Sequence, residues 1–209
     1  MDTQICYTQG VSAIILAGGR SERIGCPKAD LKLGERSLLE WVTGALQGLF
    51  NELIIVAPVA PQTMPQEARL VVDEPAGCGP LGGLYAGLKA ARDDVSFAAG
   101  CDTPFLRPAL VKGLLGMAEG YDAVVPKLED GLHPLCGIYS RACVEKIRQA
   151  LESGNRRVAS FFPSVKVRFV NTEELRRFDP EPISFFNINT SEDLAAAECL
   201  QEKLSTSQT

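Results

Sequence analysis

The 209-residue chain predicts an α/β fold, a mostly parallel sheet covered on both faces by helices. Two observations carry this. Short apolar runs alternate with segments whose apolar residues recur at helical spacing, the pattern of repeated strand–helix units. Glycine and aspartate follow several of the apolar runs, at Gly18-Gly19, Asp73, Gly77–Gly83 and Asp102. In sheets of this kind ligands bind at the carboxyl ends of the strands. No repeat, low-complexity tract or linker divides the chain, so residues 1–209 form one domain.

Residues 1–11 are a short lead. Ser12–Leu16 is a buried strand, with Ala13, Ile14, Ile15 and Leu16 as its apolar run. It ends at Gly18-Gly19, where the backbone turns freely and can approach a ligand without a Cβ in the way. The basic stretch 20–36 follows, with Arg20, Arg23, Lys28, Lys32 and Arg36 against Glu22, Asp30 and Glu35. Strand, glycine turn and basic loop suit a polyanion, because free N–H groups cradle phosphate oxygens and cations neutralise them. The loop is not a Walker A motif, G-x-x-x-x-G-K-[ST]: Gly19 and Gly25 are six apart, and Cys26-Pro27 separate Gly25 from Lys28. The bland alternative is a solvated surface loop.

Ser37-Leu38-Leu39-Glu40 is a capping box, opening a helix with Leu38, Val42, Leu46 and Leu49 on one face. Leu53–Ala57 is the second strand, Pro58–Pro65 a connection, and Arg69–Val72 the third strand, with Asp73 at its end. Gly77, Gly79, Gly82 and Gly83 lead into a helix carrying Leu81, Leu84, Tyr85 and Leu88. Val95–Ala99 is a strand that ends at Cys101-Asp102-Thr103-Pro104, and Pro108–Met117 is helical. Tyr121–Val125 is a strand, Lys127–Gly131 a polar loop, Leu135–Tyr139 a strand and Arg141–Leu151 a helix; Val158–Phe162 is helical. Val165–Val170 alternates apolar and polar, as a half-exposed edge strand does. Phe185–Ile188 is a short strand, Thr190 or Ser191 caps the last helix, and Ser205–Thr209 frays.

Hydrophobic residues make up 45% and charged residues 22%, ordinary for a globular protein with a sizeable core. A net charge of −5 excludes a general nucleic-acid binder, so any anion site must rest on a local positive field. The seven cysteines, Cys6, Cys26, Cys78, Cys101, Cys136, Cys143 and Cys199, include no C-x-x-C. An odd number without a framework fits a reducing, cytoplasmic setting, and small buried thiols are a better reading than an irregular zinc site. No signal peptide and no apolar run long enough to span a membrane is present in the sequence.

Leu16-Ala17-Gly18-Gly19, Arg23, Gly25 and Lys28 resemble the L-A-G-G-x-x-x-R-M-G-x-x-K signature of nucleotidyltransferases with a Rossmann-like fold. GPLGGLYAGL (Gly79–Leu88), CDTPFL (Cys101–Leu106), HPLCGIYS (His133–Ser140), NRRV (Asn155–Val158) and FFNINTSEDL (Phe185–Leu194) narrow the resemblance to the molybdenum cofactor guanylyltransferases (MobA). The matches run in family order along nearly the whole chain. The resemblance implies a Rossmann-like three-layer sandwich of nucleotidyltransferase type, with a nucleotide-binding first half, about 11–110, and a pterin-side remainder. It implies GTP and molybdopterin (or Mo-molybdopterin) as substrates, Mg²⁺ as cofactor, and neither nucleic acid nor membrane. Transient contact with other cofactor-biosynthesis or molybdoenzyme-maturation proteins also belongs to this picture.

By the same resemblance, Arg23, Lys28 and Asp102 are catalytic, and Leu16, Ala17, Gly18, Gly19, Lys28, Asp73, Gly79, Gly83 and Asp102 bind the nucleotide. The chemistry of these residues is consistent with that. Asp102 is a hard oxygen ligand at a strand tip, suited to Mg²⁺ carried by a triphosphate, or else a turn aspartate capping the next segment. Lys28 and Arg23 would balance charge on departing pyrophosphate, or are solvated loop cations. Asp73 can accept from the two donors of guanine, or terminates a strand. His133, Arg156, Arg157, Asn187 and Asn189 fall on the pterin side, the two arginines as a phosphate clamp and the two asparagines alternating on one face of a strand. The two arginines and two asparagines are otherwise solvated polar residues near a strand end, and His133 a loop residue before Pro134. His133 is not needed as a base, because a phosphate monoester with a second pKa of about 6 is already nucleophilic at neutral pH.

Two features depart from the resemblance. The family often places Asn after the second strand, where Ala57-Pro58-Val59-Ala60 stands here, which leaves a cytidylyltransferase or a sugar-phosphate nucleotidyltransferase as the alternative. Gly77-Cys78-Gly79-Pro80-Leu81-Gly82 is also a literal G-x-G-x-x-G, with Asp102 20 residues beyond Gly82, the spacing of a dinucleotide fingerprint. It follows the third strand rather than the first and leaves the Gly18–Lys28 loop unused, so a nicotinamide oxidoreductase is the weaker reading. A non-catalytic nucleotide-binding protein is the remaining class.

Overall fold

The computed structural model describes residues 10–18, 27–72 and 77–206. Strand β1, Val11–Leu16, is buried throughout. After a 3₁₀ turn at Lys28–Asp30, β2 (Lys32–Leu33) and β3 (Arg36–Ser37) form a small hairpin. Helix α1 (Leu38–Leu46) starts on the expected capping box: Glu40 N–H donates to Ser37 Oγ at 3.1 Å, and Ser37 N–H donates to the Glu40 carboxylate at 2.7 Å. Next come β4 (Glu52–Val56), β5 (Arg69–Val71), α2 (Gly79–Ala90), β6 (Val95–Gly100) and α3 (Pro108–Leu115). The chain continues with β7 (Ala123–Leu128), β8 (Gly131–Leu132), β9 (Cys136–Ser140) and α4 (Cys143–Glu152). A 3₁₀ segment at Val158–Ser164, β10 (Val167–Asn171), α5 (Thr172–Leu175), a 3₁₀ turn at Ile183–Phe185 and α6 (Ser191–Thr206) complete it.

Among the described residues the main sheet has eight strands in the order β10-β7-β9-β6-β1-β4-β5, with β8 added on β7. β1 pairs parallel with β4 and β6, β4 with β5, and β7 with β10. Only β9, between β6 and β7, and the β7–β8 hairpin introduce antiparallel pairing. Central β1 is covered on both faces, which is why Ala13–Leu16 appears in the sequence as an apolar run. Its alternate residues serve opposite layers. Ala13 and Ile15 pack with Leu39 and Val42 of α1 and Leu110 and Leu114 of α3. Ile14 and Leu16 pack with Leu81, Leu84 and Leu88 of α2 and Ile147 of α4. The architecture is thus the expected three-layer α/β sandwich.

The C-terminal segment departs from expectation. Phe185–Ile188 is not a strand: a 3₁₀ turn runs through Phe185, and Ile188 N–H donates to the Asp102 carbonyl at 2.9 Å, a loop acceptor rather than a ladder partner. Asn187 and Asn189 therefore do not alternate along a strand. The Lys127–Gly131 stretch is also more ordered than a polar loop, because β7 extends through Leu128 and turns back as β8. Two anchors hold the C-terminal segment. Buried Asp179 accepts from Ser184 N–H at 2.9 Å and lies 3.3 Å from Arg107 Nε, while Arg107 N–H donates to Ser184 Oγ at 3.0 Å. Beyond it, Ile188 and Ala197 join Leu31, Leu33, Leu38 and Phe105 in a third apolar cluster.

Candidate active site

Parallel register brings three chain segments together at the carboxyl end of the sheet. Leu16 lies opposite Val56 on one side and Gly100 on the other. The ladders continue one step further, with Ala17 N–H on the Val56 carbonyl at 2.8 Å and Cys101 N–H on the Leu16 carbonyl at 3.1 Å. Beyond these strand ends opens a cleft of about 500 Å³, within the range of small-ligand sites. Leu16, Gly18, Val56 and Pro58 form one wall; Gly77, Gly79, Pro80 and Gly83 form another; Lys28, Gly100, Cys101, Asp102 and Leu135 complete it.

The glycines have separable reasons. Gly79 has φ +64, a conformation that disfavours any side chain. Gly83 faces β1, where an added Cβ would sit 3.2 Å from Leu16 Cδ2. At Gly100 an added Cβ would come to 2.5 Å from Asp102 Oδ1, so glycine lets that carboxylate fold back over the strand end. Because α2 opens at the cleft, the positive end of its dipole also faces the cavity.

Charge converges at one point. Lys28 Nζ donates to Asp102 Oδ2 at 2.8 Å and to Asn189 Oδ1 at 2.6 Å. The lysine and aspartate side chains are 17% and 23% exposed, so the pair is screened from bulk water yet open to the cleft. Asp102 is held by its carbonyl, on Ile188 N–H, and by the turn after it, where Thr103 Oγ1 donates to the Gly100 carbonyl at 3.1 Å. Next to it, burial pushes the Cys101 thiol up to about 12, and the Asp102 charge adds to the effect. That thiol stays protonated at neutral pH.

A divalent cation fits this donor set. Among the described residues Asp102 is the carboxylate that lines the cleft, and none of them form a cluster of three or more His, Cys, Asp or Glu side chains. One hard oxygen ligand beside a cavity for phosphates is how Mg²⁺ is commonly held, with substrate oxygens and waters completing the sphere. A closed zinc site would need four ligands.

Of the residues expected at the site, Leu16, Gly18, Lys28, Gly79, Gly83 and Asp102 line the cleft. Ala17 is buried behind it. Gly19, Arg23 and Asp73 lie outside the described residues. His133 faces elsewhere: its Nε2 meets Asp130 Oδ1 at 2.9 Å and its ring packs on Phe185 at 5.0 Å. Arg156 spends one guanidinium nitrogen on the Leu151 and Asn155 carbonyls at the end of α4, while its own carbonyl lies 3.9 Å from where a Cβ of Gly79 would be. Arg157 is exposed. Asn187 turns its amide onto the Phe185 carbonyl at 3.1 Å. Asn189 belongs to the Lys28–Asp102 cluster rather than standing apart. Sequence reasoning did not name Val56, Pro80, Gly100 or Leu135 as site residues, although all four line the cleft. Gly100 left a signal, a small residue two before a strand-tip aspartate, and Pro58 stands in the Ala57–Ala60 stretch already singled out in the sequence.

The profile of a family described as the MobA-like NTP transferase domain matches residues 13–167. A probable molybdenum cofactor guanylyltransferase of Pelotomaculum thermopropionicum is 37% identical over 91% of this chain and 93% of its own length. A molybdenum cofactor guanylyltransferase of Desulfosudis oleivorans is 37% identical over 90% and 94%. The crystal structure of molybdopterin-guanine dinucleotide biosynthesis protein A from Archaeoglobus fulgidus superposes with a TM-score of 0.80 at 30% identity, covering 92% of this chain and 99% of that one.

Proposed function

We infer that this chain, which belongs to the MobA-like NTP transferase family, transfers GMP from GTP to the terminal phosphate of molybdopterin, with or without molybdenum, and releases pyrophosphate. The observation that carries this reading is the Lys28–Asp102–Asn189 cluster at the mouth of a glycine-walled cleft. An oxygen of the acceptor phosphate attacks the α-phosphorus of GTP. The bond from that phosphorus to the bridging oxygen breaks, and pyrophosphate leaves with the electron pair. The acceptor is largely a dianion at neutral pH, so no base has to take a proton from it. The position of His133, bonded to Asp130 and packed on Phe185, supports that.

The residues divide the work by charge and shape. Lys28, with Arg23 five residues before it in the sequence, neutralises the phosphates as negative charge moves onto the leaving group. Asp102 would hold a divalent cation, read here as Mg²⁺, together with the triphosphate. Bound there, such an ion supplies charge neutralisation and orientation of the phosphates. Gly18, Gly79 and Gly83 let the nucleotide approach the backbone, and Asp73 is assigned to guanine. On the acceptor side we keep His133, which packs on the Phe185 ring, and Asn187, which donates to the Phe185 carbonyl, for the pterin, and Arg156 and Arg157 for its phosphate.

No helix among the described residues is long and apolar enough to cross a membrane. The five described cysteines are free, which supports a reducing cytoplasmic setting. Small-molecule substrates, with at most transient contacts to other proteins of cofactor assembly, complete the assignment. Pro58 lines the cleft in the stretch where related enzymes often carry an asparagine, so base choice is the point to test. Offered GTP and CTP in parallel with molybdopterin, the enzyme is expected to release pyrophosphate mainly from GTP. A preference for CTP would overturn the guanylyl assignment, and no release from either would overturn nucleotidyl transfer.

A further inference from the structure

The strongest unassigned feature lies just behind Lys28, at the start of α6. Thr190 caps this helix: its Oγ1 accepts from Asp193 N–H at 3.1 Å. Asp193 returns the bond, its Oδ2 accepting from Thr190 N–H at 2.9 Å. That reciprocal pair completes a capping box. The same Asp193 oxygen also accepts from Asn189 N–H at 2.9 Å, one residue beyond what the cap requires. Asn189 is the residue whose side-chain oxygen holds Lys28.

We propose that Asp193 is a positioning residue for Lys28, fixing the backbone at Asn189 so that the Asn189 amide oxygen aims the lysine ammonium into the cleft. The proposal rests on the reading that Lys28 meets the nucleotide phosphates. A lysine side chain is long and flexible, and ordering it before the ligand arrives lowers the cost of binding. Asp102 draws the ammonium toward the strand tip, and Asn189 holds it from the other side. Asn189 can do this only if its own backbone is fixed. Ile188 N–H on the Asp102 carbonyl fixes the residue before it, and Asp193 fixes Asn189 itself. The two backbone N–H donors hold the Asp193 carboxyl below its ordinary value, so it is an anion throughout the neutral range.

The test uses magnesium pyrophosphate as the probe, titrated calorimetrically into the full-length protein, so the readout is independent of which base the enzyme prefers. Asp193→Ala is expected to weaken pyrophosphate binding roughly tenfold, as a misplaced contact group does. Asn189→Ala should do the same, and the double variant should be no worse than either single one, because both break one relay. Asp193→Asn keeps an acceptor oxygen for both N–H groups and should restore most of the affinity. Thr190→Ala breaks the other half of the cap and should lower the melting temperature while leaving pyrophosphate affinity at the wild-type value. Wild-type affinity in Asp193→Ala, equal losses in Asp193→Ala and Thr190→Ala, or losses that multiply in the double variant would each overturn the relay. Should Asp193→Ala fail to fold, Asn189→Ala still decides, since unchanged affinity there overturns it. A wild type that binds no pyrophosphate overturns the phosphate reading of the cleft, and the relay with it.

Discussion

Among the described residues Lys28 has two side-chain partners, Asp102 and Asn189. Removing this cation in Lys28→Ala is expected to lower turnover roughly a hundredfold, the range seen when one electrostatic donor is lost. The fold should persist, since the side chain supports no core; near-wild-type turnover in a folded variant refutes the role. His133 makes the opposite prediction. Its bond to Asp130 is what lowers the carboxyl of that exposed residue, so His133→Gln should raise the Asp130 pKa, readable by NMR titration. The shape of the pH–rate profile should not change; a limb near pH 6.5, the ordinary histidine value, that vanishes in the variant would reinstate a base. At this scale the sequence was legible where chemistry and locality coincide. Asp102 follows an apolar run and precedes Thr-Pro, and Lys28 sits in a basic loop. The partnership of Asn189 with Lys28 was not legible, because 161 residues separate them and no local pattern announces a contact of that range.

Among elements, α2 shows how tightly the site depends on packing. It crosses β1 at Gly87, where an added Cβ would collide with Ile14 Cγ2 and approach Val56 Cγ2 to 3.2 Å. Gly87→Ala would gain about 1 kcal/mol in helix propensity. Overpacking against buried strands typically costs about 1–3 kcal/mol, and here it wins because Ile14 and Val56 are fully enclosed. Net destabilisation in urea unfolding is therefore expected, with a weaker fit at the neighbouring cleft wall; a stabilised variant would mean that α2 can slide. The same enclosure made β1 readable, since a strand covered on both sides is mostly apolar, as Ala13–Leu16 is. The capping box before α1 was readable because both of its bonds are local. Phe185–Ile188 was misread for the converse reason. Two phenylalanines and an isoleucine look like a strand, yet Phe185 is buried in the core cluster with Leu110 and Leu114, while Phe186 and Ile188 pack in the α6 cluster and Ile188 docks on the Asp102 carbonyl, and none of this leaves a period-2 trace.

Taken whole, the molecule places its two ends of sequence against one another: β1 and the Lys28 turn supply one side of the cleft, and the segment after β10 returns to hold them. That return depends on an anchor well away from the chemistry. Asp179 has no exposed surface, and among the described residues its Oδ1 has no hydrogen-bond donor; what it meets is the ionic contact with Arg107 Nε at 3.3 Å. Arg107 stands just before α3, five residues after Asp102 in the chain. The pair thus ties the C-terminal segment to the loop that carries the site carboxylate. Arg107→Leu would leave a buried carboxylate uncompensated, a change that costs about 3–5 kcal/mol when one partner of a buried pair is removed. Since Arg107 is itself about a third exposed, the lower end of that range is expected. Asp179→Asn should cost less, because an amide oxygen still accepts from Ser184 N–H and the charge left behind, on Arg107, reaches water. Unfolding in urea measures the order wild type, Asp179→Asn, Arg107→Leu. Activity supplies the second readout: at a temperature where all three remain folded, Arg107→Leu should lower kcat/KM for the nucleotide, because Ile188 then loosens its hold on the Asp102 carbonyl. A folded Arg107→Leu protein with unchanged stability and unchanged kcat/KM would show that the α6 cluster alone brings the C-terminal segment to the cleft.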